Sequence, residues 1–243
     1  MKTTAAVILV AGIGSRLRPI TDDRPKALVD IGGETILGRA VRLLAEYGVR
    51  KVVLATGYRE DAVRSALHSA PVAVEYCRNP DFDRTQNSVS LALCRANAGT
   101  DAFFKLDGDV VFQRQVLERL DASASELAVA VDAGRMLDEE AMKVSTNGSA
   151  ISAFGKGIPL HASAGESIGI ERISRAASAR IFDALDQTIS SGETGLYYED
   201  IYSRLIARGE LEAEAVAVRD LPWTEVDDFS DLERARALVR SEA

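Results

Sequence analysis

The run Val7-Ile8-Leu9-Val10 constrains this chain most, because it is apolar without a break and opens straight into Ala11-Gly12-Ile13-Gly14. A strand with one face in water alternates apolar and polar residues, so an unbroken run implies a strand covered on both faces, as in a parallel sheet flanked by helices. The first half of the chain keeps to that plan. Strands are predicted over 5–10, 51–56, 72–76 and 101–106, with helical patterns between them over 35–47, 59–69 and 87–98. This alternation predicts an α/β fold with a doubly wound, mostly parallel sheet, whose right-handed crossovers bring the strand ends, and any ligand, to one edge.

After Asp109 the pattern changes. Segments 127–131, 143–146 and 150–154 read as strands, and Asn147-Gly148 marks a tight hairpin, so a small β-rich lobe is expected. Helices are predicted over 174–189 and 198–208, strands over 213–218 and 223–227, and a last helix over 230–241 with Ser230 as its N-cap and Glu233 three residues on. At 243 residues with 47% hydrophobic content the chain can bury a substantial core as a single domain. A net charge of −8 argues against a nucleic-acid partner. The two cysteines, Cys77 and Cys94, have no metal-ligand spacing and imply no disulfide framework. Apolar stretches are of strand length and the first strand starts close to Met1, so neither a signal peptide nor a membrane span is expected, and the expected location is cytoplasmic.

The glycines after the first strand let backbone approach a ligand closely, and Arg16, Arg18 and Lys26 follow them, which outlines an anion site. Two familiar glycine loops are excluded. No Walker A run occurs, and the dinucleotide fingerprint fails because Leu17 stands where its third glycine belongs and Thr56-Gly57 where its acidic residue belongs. The stretch Ala11-Gly12-Ile13-Gly14-Ser15-Arg16-Leu17-Arg18-Pro19-Ile20-Thr21, followed by Pro25-Lys26-Ala27-Leu28, resembles the signature of the nucleotidyltransferases that activate sugar phosphates and related alcohol phosphates.

That resemblance implies a Rossmann-like nucleotidyltransferase fold, with residues 1–112 binding the nucleotide and 113–243 forming the acceptor-binding lobe and C-terminal helix. It implies that Leu9, Ala11 and the amides of Gly12, Ile13 and Gly14 meet the nucleotide, that Arg16 grips the triphosphate, and that Lys26 neutralises charge near the α-phosphate. Lys105-Leu106-Asp107-Gly108-Asp109 ends a buried strand in two carboxylates. The family pattern makes Asp109 a Mg²⁺ ligand, with Asp107 on the same side of the strand as a further ligand, although strand-ending Asp-Gly turns are also common. Asp227, in Pro222-Trp223-Thr224-Glu225-Val226-Asp227, matches the second metal carboxylate; alone it reads equally as a helix N-terminal acid.

Lys156 falls where the family has a lysine for the acceptor phosphate, but glycines flank it here and a solvated loop lysine fits as well. Glu166, in Gly165-Glu166-Ser167-Ile168-Gly169, matches a segment shaping the acceptor pocket, although an edge strand would read alike. Asn87 and Ser88 lie in Thr85-Gln86-Asn87-Ser88-Val89-Ser90-Leu91, a segment that resembles the Asn-x-x-Ser-Leu stretch of the cytidylyltransferases acting on phosphocholine, aminoethylphosphonate or inositol phosphate. They are candidates for base or ribose contacts, or for capping the next helix. Tyr198, Glu199 and Trp223 are candidates for a cage around a cationic acceptor head, whereas Tyr197-Tyr198-Glu199-Asp200 also suits a plain helix start. Arg18 reads equally as a partner of Asp22 or Asp23, and His68 and His161 fit no catalytic spacing. The implied reaction is Mg²⁺-dependent nucleotidylyl transfer, with CTP favoured as donor and a small phosphorylated alcohol or amino alcohol as acceptor. The alternatives are a hexose- or heptose-1-phosphate enzyme using UTP, GTP or dTTP, and a nucleotide-binding protein without turnover. A homodimer through the β-rich lobe is compatible with the sequence.

Overall fold

The computed structural model describes residues 2–242, with no side-chain description for Glu242. In chain order the elements are β1 (Ala5–Val10), α1 (Ile36–Tyr47), β2 (Lys51–Thr56), α2 (Glu60–Ala66), β3 (Ala73–Arg78), α3 (Asn87–Ala92), α4 (Arg95–Ala98), β4 (Phe103–Asp107), β5 (Val110–Val111) and α5 (Gln115–Ala122). They continue with β6 (Leu127–Asp132), β7 (Lys143–Asn147), β8 (Ala150–Phe154), β9 (Gly165–Ile173), α6 (Arg175–Ser190), α7 (Tyr198–Ala207), β10 (Ala213–Ala217), β11 (Thr224–Glu225) and α8 (Phe229–Glu242). The large sheet has the order β3-β2-β1-β4-β9-β6-β10-β8-β7. The pairs β3–β2, β2–β1 and β1–β4 are parallel, as the alternation predicted; β6–β10 is parallel as well, and β9 runs antiparallel between β4 and β6.

Both faces of β1 are covered, which explains its unbroken apolar run. Ala6, Ile8 and Val10 join a core with α1 and α5, while Val7 and Leu9 join the opposite core with α3, α6 and α7. Helix α1 starts where Thr35 accepts a hydrogen bond from the Gly38 amide at 3.0 Å, a cap worth about 1 kcal/mol. Its buried face includes Leu37 and Leu44, each fully enclosed and each contributing about 2 kcal/mol of apolar burial. A third, smaller core joins Leu17, Val29 and Ile36 to Val226, Leu232 and Leu238, so α8 clamps the stretch after β1.

The β-rich part is continuous with the main sheet: the β7–β8 hairpin extends its far end, and β7 also pairs with β9. Residues 165–170, for which an edge strand was one reading, belong to the nine-residue, central β9. Its Glu171 is register partner to Lys105 of β4, and both side chains are fully buried. The predicted helix 87–98 is broken at Leu93-Cys94 into α3 and α4, and α5 had not been anticipated. The last helix begins at Phe229, and its cap is Asp228, not Ser230: the Asp231 amide donates to Asp228 Oδ1 and the Asp228 amide to Asp231 Oδ2, both at 3.0 Å. Both cysteines are free and buried, and no helix among the described residues is long and apolar enough to cross a membrane.

Candidate active site

The loop after β1 is shaped by Gly14, whose φ of 74° lies in the left-handed region that favours glycine. A Cβ there would lie 2.6 Å from Lys26 Cβ, so the glycine lets two parts of the site meet. Gly14 O accepts from the Thr21 hydroxyl at 2.8 Å and from the Leu17 amide at 3.1 Å, which fixes the turn. The amides of Gly12, Ile13 and Gly14 donate to no partner among the described residues, so three N–H groups remain for an anion.

The carboxylates are delivered by a short antiparallel pair. Strand β4 ends against β1 with the Gly108 amide donating to Leu9 O at 2.9 Å, and a Cβ on Gly108 would fall 2.5 Å from that oxygen. Strand β5 follows at once and pairs with β11, Val110 opposite Glu225 and Val111 opposite Thr224, while the Val226 amide donates to Asp109 O at 3.0 Å. Asp109, Glu225 and Asp227 thereby offer carboxylate oxygens all within 4.8 Å of one another. Lys26 Nζ lies 2.6 Å from Asp109 and 2.7 Å from Asp227, and Arg16 lies 3.0 Å from Asp227.

These charges condition one another. Burial opposes the Lys26 charge, but Asp109 and Asp227 outweigh it and hold its pKa above the ordinary lysine value. Burial likewise opposes the Asp227 charge, and Lys26 and Arg16 hold its carboxyl below the usual range. Glu225, buried beside two other acids, is pushed up to about 9. One buried oxygen, Asp109 Oδ1, has no hydrogen-bond partner. Three clustered oxygen donors, one of them orphaned, fit a hard divalent cation such as Mg²⁺.

Asp107, expected as a metal ligand, is engaged elsewhere. Its Oδ1 is 3.0 Å from Lys105 Nζ and its Oδ2 accepts from the Tyr198 hydroxyl at 2.8 Å, so it stands outside the three-carboxylate group. Glu225 takes the third place. It was missed although it stands two residues before Asp227, the spacing that puts both on one side of an extended segment.

Two contiguous cavities meet at these carboxylates. One, of about 320 Å³, is lined by Leu9, Ala11, Gly12, Gln86, Asn87, Asp107, Asp109, Lys156, Glu166, Tyr197, Glu199 and Glu225, among others. The other, of about 500 Å³, includes Arg16, Lys26, Asp109, Lys156, Glu166, Glu225 and Asp227. Lys156 reaches Glu140 at 2.9 Å and its ammonium lies 5.2 Å from the Tyr197 ring centroid. Burial raises the Glu166 carboxyl above its ordinary value. Glu199 is pushed up to about 8 by burial and the nearby acids, against the pull of Lys105, and its Oε2 is buried without a partner.

Three expected contacts fall elsewhere. Ser88 is buried and donates to Leu196 O at 2.6 Å, whereas Asn87 lines the cavity and accepts from the Tyr198 amide at 3.0 Å, capping α7 rather than its own helix. Tyr198 is fully buried, and its neighbour Tyr197 faces the cavity. Trp223 borders neither cavity; its indole N–H donates to Asp132 at 2.8 Å and faces a separate hollow. The plain helix-start reading of 197–200 holds, because the Tyr197 amide donates to Asp200 at 2.8 Å. Arg18 pairs with Asp22 at 3.4 Å.

The sequence and the fold are similar to those of known proteins. Over 95% of its length the chain is 33% identical to a CMP-5'-(3-aminopropyl)phosphonate synthase of Streptomyces rubellomurinus, but it spans only 38% of that protein. It is 26% identical to a CTP:phosphoglutamine cytidylyltransferase of Campylobacter jejuni, covering 94% of the chain and 97% of the relative. The inositol-1-phosphate CTP transferase of T. maritima superposes with a TM-score of 0.84 at 20% identity, covering 99% of this chain and 97% of that one. The CTP:phosphocholine cytidylyltransferase of Streptococcus pneumoniae superposes with 0.76 at 19%, covering 98% and 100%. Residues 6–220 match the description MobA-like NTP transferase domain, and the chain therefore belongs to that family, whose enzymes are of the nucleotidyltransferase type.

Proposed function

We propose that the protein transfers a cytidylyl group from CTP to a small alcohol or amino-alcohol phosphate or phosphonate, with Mg²⁺, releasing pyrophosphate. The observation that carries this reading is the convergence of Asp109, Glu225 and Asp227 around Lys26, next to the loop whose three amides lack partners. Binding alone does not require three converging carboxylates. Asp109, Glu225 and Asp227 would hold the Mg²⁺. When bound there, it supplies positive charge to the α-phosphate and to the pyrophosphate that departs.

The chain's own residues do the rest. Gly12, Ile13 and Gly14 donate their amides to phosphate oxygens, and Arg16 grips the triphosphate. Lys26, between Asp109 and Asp227, supplies its ammonium to the charge on the α-phosphate. An oxygen of the acceptor attacks the α-phosphorus in line; that P–O bond forms as the bond to the β-phosphate oxygen breaks. The acceptor arrives already ionised, so no side-chain base is needed, and positioning with charge stabilisation supplies the rate. Glu166, Glu199 and Tyr197 line the same cavity, and an ammonium on the acceptor would favour the ionised form of both burial-raised carboxyls. The names of the two relatives with acceptors of phosphonate or phospho-amino-acid type support the same choice.

The test crosses CTP, UTP, GTP and dTTP with 2-aminoethylphosphonate, phosphocholine, inositol phosphate and hexose-1-phosphates in a coupled pyrophosphate assay. Turnover with CTP and an alcohol phosphate or phosphonate is expected. Turnover confined to UTP or dTTP with a hexose-1-phosphate would instead assign the hexose branch.

A further inference from the structure

The cavity beside Asp227 is lined by five cationic side chains, Arg16, Lys26, Arg135, Lys156 and Arg234. Four are committed to carboxylates: Lys26 to Asp109 and Asp227, Arg16 to Asp227, Lys156 to Glu140, and Arg234 to Asp231. Arg135 differs. Among the described residues it makes no ion pair, and its guanidinium lies 4.8 Å from the centroid of the Trp223 ring. It borders both the carboxylate-lined cavity and the hollow where Trp223 lies.

The stretch before Arg135 is held by one carboxylate. Asp132, at the end of β6 and 8% exposed, accepts the Trp223 indole N–H at 2.8 Å through Oδ2 and the Gly134 amide at 2.7 Å through Oδ1. The same side chain thus fixes the ring and the backbone next to the arginine resting on it. The loop beyond is ordered by Asp138, whose Oδ1 accepts from the Glu140 and Ala141 amides at 2.9 Å. A guanidinium on an aromatic face keeps its donors in its own plane, free for an anion.

We propose that Arg135 binds the phosphate or phosphonate group of the acceptor, and that Trp223 and Asp132 form the platform that positions it. This rests on the transferase reading above. An incoming dianion meets a cavity rich in acids, and Arg135 is the cation there that can engage it without first giving up a carboxylate; its planar fork suits two oxygens of a tetrahedral anion. Trp223 therefore acts through the arginine rather than as a cage for the acceptor head.

Because Trp223 is the chain's sole tryptophan, its emission reports directly on the platform. Wild-type protein titrated in Mg²⁺ buffer with methylphosphonate, and separately with inorganic phosphate, is expected to show a saturable emission change that Arg135→Ala lacks. In steady-state kinetics Arg135→Ala raises the acceptor KM roughly 10- to 100-fold while the CTP KM stays within about twofold. Arg135→Lys recovers only part of the loss, and Trp223→Phe, which retains a ring, is milder than Trp223→Ala. Arg135 is exposed and unpaired, so its variants are expected to melt like the wild type. An unresponsive wild type, the same titration in Arg135→Ala, or an unchanged acceptor KM overturns the proposal. If no acceptor is turned over but the emission change occurs and depends on Arg135, the reaction fails and the anion site stands.

Discussion

Replacing Lys26 with Met removes one ammonium from between two carboxylates at 2.6 and 2.7 Å, in a site where the lysine side chain is only 16% exposed. Asp109 and Asp227 are 22% and 28% exposed, so water recovers part of the loss. Breaking a buried ion pair from one side costs about 3–5 kcal/mol, and the residual exposure lowers this to about 2–4 kcal/mol here. With a urea m-value of about 2–3 kcal/mol/M for a domain of this size, the midpoint falls by about 1 M in EDTA. Mg²⁺ at about a hundred times its Kd returns up to about 2.7 kcal/mol, and it returns more to the variant than to the wild type, in which Lys26 already neutralises part of the site. Turnover stays low in Mg²⁺, because the charge facing the α-phosphate is gone. The reasoning is refuted if Lys26→Met matches the wild-type midpoint in EDTA, or if Mg²⁺ stabilises both proteins equally.

Gly14→Ala forces a left-handed φ on alanine and a Cβ into Lys26, so stability drops by about 1–3 kcal/mol and the CTP KM rises, measured by melting and initial rates. Glu171 and Glu199 are pushed by burial up to about 7 and about 8, so the folded chain holds protons there that the unfolded chain has released. Their contribution to stability is full below the ordinary glutamate pKa and is lost as pH rises through about 7 to 8. Stability should therefore fall between about pH 5 and pH 8, and Glu171→Gln should flatten the slope in a series of thermal melts; a wild-type curve rising over that window contradicts this.

The first half of the fold was legible because β1 and β2 carry unbroken apolar runs that lead into glycines, and β4 carries Phe103, Phe104 and Leu106 before Asp107, so local pattern and tertiary burial largely agree there. Strand β9 was not recognised as central because its interior holds Glu171, whose burial Lys105 on the neighbouring strand offsets only in part. A cross-strand pair of opposite charges reads in sequence as two surface residues. Lys26, Arg16, Asp109 and Asp227 were legible through their motif, and the structure brings all four together. Glu225 was not singled out within the predicted strand 223–227, because only the pairing of β11 with β5 brings it to Asp109. Tyr198 and Trp223 misled for one reason: an aromatic residue near a site is as readily a wall or a platform as a contact, and only its burial and its polar partner decide.

The most direct test follows one turnover by phosphorus NMR, with CTP and 2-aminoethylphosphonate mixed with wild-type protein or Asp109→Asn in Mg²⁺. The account predicts equal amounts of pyrophosphate and a cytidylyl-phosphonate anhydride with the wild type, none without Mg²⁺, and none with the folded Asp109→Asn variant. Near-normal product from Asp109→Asn, or product formed without a divalent cation, would contradict it.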